Sequence, residues 1–307
     1  MSSSRSILNT EMRNDKSDQL HQFSTMDIIQ LMNEEDKTVP ENIHQVLPES
    51  RQVIDVAVET LQKGGRLFYF GAGTSGRLGV LDASECPPTF GVPHDLVNGK
   101  IAGGDRALRF PIEDAEDSKE TGANDVKQSV SSKDMVIGIT SSGKTPYVLG
   151  AIEAANRLHI PTASISCNTN SPLSKLVDYP IEVLVGPEIV TGSTRLKAGT
   201  SQKMILNMIS TTVMIKLGKV YRNLMVNVQA SNEKLRKRAI SIIQELTDVT
   251  EKEAAFFSKQ ANGDVRVACL MILLDVDAEK AVHLLEQNNQ HFSHTLNQHH
   301  PNRSNTN

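Results

Sequence analysis

Residues 66–91 read RLFYFGAGTSGRLGVLDASECPPTFG, and the order of residue types in this stretch decides the fold. Leu67, Phe68, Tyr69 and Phe70 form a short apolar run suited to a buried strand. Gly71, Ala72, Gly73, Thr74, Ser75 and Gly76 make a turn, and a helix-like segment follows as far as Cys86, Pro87 and Pro88. A strand feeding a Gly-rich turn feeding a helix aims backbone N–H groups and the positive helix end at one spot, which suits an anion such as phosphate.

Gly71, Gly73 and Gly76 satisfy G-x-G-x-x-G, the dinucleotide-binding spacing, but that spacing alone is weak. A dinucleotide site also needs an acid about 20 residues on, at the end of the second strand. Here Leu96 and Val97 are followed by Asn98, Gly99 and Lys100, so the acid is missing. Thr74 and Ser75 fill the variable positions with hydroxyls, which favours a phosphate monoester. An ordinary strand-to-helix turn whose Ser or Thr only caps the helix is the alternative.

A second turn of the same kind lies downstream. Residues 135–140 (MVIGIT) have a buried-strand pattern and lead into Ser141, Ser142, Gly143, Lys144, Thr145 and Pro146. Val148, Leu149, Ile152, Ala155 and Leu158 then recur at helical spacing, and Pro146 sits where a first helical residue is tolerated. Two hydroxyl-rich turns at the carboxyl edge of one parallel sheet make a sugar phosphate the expected guest.

The runs GAGTSGR, LDASECPPTFG, IAGGDRA, EDAEDS, SSGKTPYV and VTGSTRLKAGTSQK resemble the N-acetylmuramic acid 6-phosphate etherase family of sugar isomerase (SIS) domain proteins. ASECPPTFG is the most specific of them. The resemblance runs from Thr10 to Lys234, and less distinctly through to Gln290. It implies an α/β fold, a doubly wound and mainly parallel sheet with N-terminal helices and a small C-terminal helical module like a ubiquitin-associated (UBA) bundle. It also implies Glu85 as proton donor, Glu116 as a second catalytic glutamate, and Thr145 at a phosphate-holding position. Gly73, Thr74, Ser75, Thr140, Ser141, Ser142 and Thr145 are then the expected substrate and phosphate contacts.

Composition fits this. The 307 residues carry a formal net charge of -4 with both signs mixed, so no basic face invites nucleic acid. Cys86, Cys167 and Cys269 have no pairable or metal-ligand spacing, which fits a reducing compartment. The N-terminal residues are polar and no apolar run approaches the length of a membrane span, so a cytoplasmic protein is expected. No cofactor or metal is expected.

The expected organisation is a tail and helical segment over 1–50, the SIS domain over 51–225, a helical bundle over 232–290 and a disordered tail over 291–307. Thr10 to Asn14 match the family's opening pattern, so part of the first segment is expected to dock on the body. If 113–120 is helical, Glu113, Glu116 and Glu120 share a face, and a solvated acidic surface is the competing reading. Arg195 and Lys197 either meet a substrate anion or belong to ordinary surface. Residues 204–217 are apolar nearly all round, which together with the habit of SIS domains to pair predicts a homodimer. His291, His294, His299 and His300 lie in the Asn- and Gln-rich tail.

The reaction implied by the resemblance removes lactate from C3 of N-acetylmuramic acid 6-phosphate. Opening the sugar ring makes an aldehyde and acidifies the C2 hydrogen; a base removes it, lactate leaves, and water adds to the conjugated enal. The products are N-acetylglucosamine 6-phosphate and D-lactate. Glu116 would be the base and Glu85 the acid, and the acid must hold its proton near neutrality through burial or a neighbouring charge. A sugar-phosphate isomerase would not need the ASECPPTFG run, and a non-catalytic sugar-phosphate-sensing regulator, akin to the glucokinase regulatory protein, could dispense with one or both acids.

Overall fold

The computed structural model describes residues 8–228 and 233–299. Expectations for residues 1–7, for Asn232 and for the tail beyond 299, His300 included, fall outside the described residues. Two compact units divide the chain: Met1–Ser84 with His94–Ser210, and Glu85–Pro93 with Thr211–Asn307.

In the first unit, α1 (Thr25–Asp36), α2 (Thr38–His44) and α3 (Leu47–Gln62) precede the sheet. A capping box between Ser24 and Asp27 starts α1, as expected of a Ser ahead of an apolar-periodic run. The sheet then alternates with helices: β1 (Leu67–Gly71), α4 (Gly73–Phe90), β2 (Val97–Ile101), α5 (Lys119–Ser129), β3 (Met135–Ile139), α6 (Pro146–Arg157), β4 (Thr162–Ser166), β5 (Tyr179–Glu182) and α7 (Lys197–Lys216). All strands pair in parallel in the order β2-β1-β3-β4-β5. After β2 the chain crosses back over β1 to place β3, so the order reverses between β1 and β3. That is the switch point where ligands bind in open α/β sheets.

Every residue of β1, β3 and β4 is buried, as both-face coverage of a parallel sheet requires. Phe68, Phe70 and Val136 pack on one face with Tyr147, Val148 and Ile152 of α6. Tyr69 points to the other face, where its hydroxyl donates to Asp82 of α4 at 3.2 Å; Ser210 and Asn207 of α7 donate to the same carboxylate. Burial pushes the Asp82 carboxyl above its ordinary pKa despite these hydrogen bonds.

Two local expectations are corrected. Helix α4 runs through Pro87 and Pro88 to Phe90, because the prolines remove only last-turn bonds and Gly91, at φ 61°, closes the end. Residues 113–120 are not one helix. Asp114 is left-handed (φ 58°), residues 115–117 form a 3-10 turn, and Ser118 caps α5 by accepting from the Thr121 amide.

The N-terminal segment does lie against the first unit. Thr10 is 1% exposed and accepts a hydrogen bond from Asn168, while Asn14 donates to Glu35 and to the Pro187 carbonyl.

In the second unit, α8 (Glu233–Thr247), α9 (Glu251–Gln260), α10 (Val265–Leu274) and α11 (Ala278–Gln287) form the expected C-terminal helical module. Ile243, Val265, Leu270 and Leu285 lie in their shared core. The tail expectation fails for 292–299, which form α12 (Phe292–His299). Phe292 and Leu296 are buried and the Phe292 ring meets Tyr221 edge-on, so two apolar anchors outweigh a polar composition. Helix α7 is not apolar all round either. Lys203, Asn207, Thr211 and Ile215, at i, i+4, i+8 and i+12, form an exposed stripe, and all but Ile215 are polar.

Candidate active site

The first turn leaves β1 at Gly71, whose carbonyl accepts from the Ala102 amide at 3.0 Å. The Gly76 amide makes the bond to the Ala72 carbonyl, so the amides of Gly73, Thr74 and Ser75 precede it at the open helix end. Gly76 is required here, since a Cβ would stand 2.6 Å from Ile101 and 2.8 Å from the Gly71 carbonyl oxygen. Thr74 is half-buried and Ser75 buried.

The second turn leaves β3 beside the first, since Ile139 is the register partner of Gly71. Thr140 Oγ1 lies 2.7 Å from Thr145 Oγ1 and 3.3 Å from Ser142 Oγ, a cluster of hydroxyls ahead of the Pro146 start of α6. The Ser141 carbonyl accepts from the Cys167 amide and the Asn168 side chain, and the Gly143 carbonyl accepts from the Leu173 amide. Gly143 takes φ 67°, and a Cβ would press on Ser171. The Thr145 side chain makes no capping bond to α6.

Gln202 of α7, which was not among the expected site residues, joins the two turns. Ser75 Oγ donates to its Oε1 at 2.8 Å, and its Nε2 donates to Ser141 Oγ at 3.1 Å. It stands inside the AGTSQK run, but only the fold shows what its amide reaches.

Glu116 lines a cleft of about 450 Å³ together with Ala72 and Gly73 of the first turn, Arg77 of α4 and Ala107. The structure thus brings one of the two expected catalytic glutamates to the first Gly-rich turn. Arg77, which carries no local signal of a site in the sequence, donates from Nε to the Leu108 carbonyl. Glu85 is exposed on α4 and belongs to the second unit.

Arg195 is exposed. Lys197 is not available to a substrate anion: it is 3% exposed and its Nζ donates to Glu35 Oε2 at 2.6 Å. The first amides of α7, at Lys197 and Ala198, are taken by the Glu188 carboxylate. Burial raises the Glu188 carboxyl above its ordinary pKa, partly offset by those amides. At Glu35 burial also pushes upward, but hydrogen bonds from Lys197 and Lys16 outweigh it and hold the carboxyl below its ordinary value. Lys197→Met should therefore destabilise the fold by about 3 kcal/mol, as expected when a buried pair loses one partner, measured by urea unfolding. A carboxyl depressed on folding contributes stability that is present above its unfolded pKa, about 4.3, and lost as the pH falls below it. The wild-type advantage over Lys197→Met should shrink as the pH drops through that window.

A parallel sheet with two hydroxyl-rich turns at its switch point defines a SIS-domain protein. The SIS domain matches residues 108–212, the glucokinase regulatory protein N-terminal SIS domain residues 50–156, and the C-terminal lid domain of glucokinase regulatory protein residues 222–261. A phosphoheptose isomerase from Francisella tularensis shares the fold, with a TM-score of 0.51 at 18% identity over 63% of this chain and 100% of that one. The chain is 51% identical over 281 residues to N-acetylmuramic acid 6-phosphate etherase 1 of Bacillus licheniformis, covering 91% of this chain and 92% of that protein. It is 52% identical to the N-acetylmuramic acid 6-phosphate etherase of Pectobacterium atrosepticum, over 94% of this chain and 95% of that one. The chain belongs to the N-acetylmuramic acid 6-phosphate etherase family.

Proposed function

We infer that this protein is a lyase that cleaves the D-lactyl ether of N-acetylmuramic acid 6-phosphate, giving N-acetylglucosamine 6-phosphate and D-lactate in the recycling of cell-wall amino sugars. The observation that carries this reading is the cleft that joins Glu116 to Gly73 of the first turn. The phosphate sits at the two turns, held by the hydroxyls of Thr74, Thr140, Ser141, Ser142 and Thr145 and by the amides of Gly73 and Ser75. Glu116 takes the C2 proton of the opened sugar. Glu85 protonates the departing lactate, and water then adds to the enal. Each proton transfer contributes roughly 10²–10⁴-fold.

Incubating purified protein with N-acetylmuramic acid 6-phosphate and assaying D-lactate tests the reading, and no lactate would overturn it. The matches to glucokinase regulatory protein segments favour, as a second reading, a non-catalytic sensor of sugar phosphates. A sensor would bind the substrate and leave it intact.

The phosphate assignment makes a separate prediction. Ser142→Ala with Thr145→Ala removes two hydroxyl donors to a charged group, so affinity for N-acetylglucosamine 6-phosphate should fall at least about tenfold by calorimetry. Unchanged affinity would remove both residues from the site.

We also propose that the protein works in the cytoplasm as a homodimer. Its three cysteines are buried and none is in a disulfide, which suits a reducing compartment. Met204, Met208 and Ile215 leave apolar surface on α7 despite its polar stripe, and a second copy seated there covers it. Light scattering should give about twice the chain mass of 33.6 kDa; a monomer mass at working concentrations would end the dimer proposal.

A further inference from the structure

We propose that Gln202 is a positioning residue that decides which serine of the two turns donates its proton to the substrate phosphate. The inference rests on reading those turns as the phosphate site. Gln202 is fully buried on the second turn of α7, and it bridges residues 75 and 141, which follow neighbouring strands. A hydroxyl has one proton and two acceptor positions, whereas the two ends of an amide have fixed and opposite polarity. Ser75 Oγ donates to Oε1 at 2.8 Å, so its proton is already used. Ser141 Oγ instead accepts from Nε2 at 3.1 Å, so Gln202 does not take its proton, and the side-chain neighbour on that side, the Cys167 thiol, is only a weak acceptor.

The backbone around the bridge is held in place. The Ser141 carbonyl is pinned by the Cys167 amide and by Asn168. The neighbouring hydroxyl on α7, Ser201, donates to the Ala198 carbonyl and so does not compete for the amide of Gln202. A buried amide left without either partner is costly, so reorienting Gln202 requires both serines to reverse together. The ligand therefore meets one serine already prepared as a donor, with no rearrangement on binding. The second turn then supplies the Ser141 hydroxyl as a side-chain donor, and the first turn supplies amides from the α4 end while Ser75 anchors it.

The test is calorimetric titration with N-acetylglucosamine 6-phosphate, with thermal melting of each variant measured alongside. Ser141→Ala should weaken binding at least about tenfold, the effect of one hydrogen bond to a charged group, whereas Ser75→Ala should cost less than about threefold. Neither change alters charge. Equal losses, or the larger loss at Ser75, would overturn the assignment. Gln202→Glu offers an acceptor to both serines and consumes both protons, so it should bind the probe more weakly than Gln202→Met, although Met leaves the serines unbridged and melts lower. If binding instead follows melting temperature across the variants, Gln202 is only a structural strut and the inference falls. Variants that bind in the predicted order, with wild-type protein that releases no lactate from the muramic acid phosphate, would sink the etherase reading and leave this one standing. Failure of the wild type to bind the probe would sink the inference itself.

Discussion

Glu116→Gln should abolish both exchange of the substrate C2 hydrogen with deuterated solvent and release of lactate, each by about 10²–10⁴-fold. Exchange needs only the base, so losing the base removes the first step and everything after it. The substitution keeps the side-chain shape. It falls on an exposed residue of a 3-10 turn with no core contacts to lose, so melting temperature should barely change. The bland alternative places Glu116 on a solvated acidic surface, and its neighbours Glu113, Asp114 and Asp117 line the same cleft. Lactate release at a near-normal rate by Glu116→Gln would favour that alternative and end the two-acid mechanism.

The second large effect separates the two steps. Glu85→Gln should lose lactate release by about 10²–10⁴-fold while C2 exchange continues, because only departure of the poor alkoxide leaving group needs the acid. Mass spectrometry of substrate recovered from deuterated buffer reads the exchange, and an enzymatic lactate assay reads the elimination. If exchange and elimination both vanish in Glu85→Gln, one carboxyl serves both steps, as in a syn elimination. If both persist, Glu85 is no catalyst.

Both predictions rest on residues legible in the sequence, though for different reasons. Glu85 and Glu116 emerged only through the specific ASECPPTFG and EDAEDS runs, since an exposed glutamate carries no local signal of chemistry. Thr74, Ser75, Ser141, Ser142 and Thr145 stood out on chemistry alone, as hydroxyls at strand-to-helix turns. Gln202 did not, because its partners lie 61 and 127 residues away. A basic residue near a helix start, such as Lys197, suits either a substrate anion or ordinary surface, and the packing of α1 with its Glu35 gives it a third place, a buried ion pair.

Local sequence is enough for β1, β3, the two turns and the helical module of α8 to α11, because alternation of apolar runs with Gly, Ser and Thr turns is a local property of the chain. It also determined that β1 and β3 are buried on both faces. Tertiary structure alone decided the pairing order that brings the two turns side by side, the bridge of Gln202 between them and the burial of Lys197 against Glu35. It also decided the docking of Phe292 that makes α12 a helix where composition suggested a loose tail. Each of these depends on which distant groups meet, and a buried polar group takes whatever partner the fold delivers, a choice that local propensity does not encode.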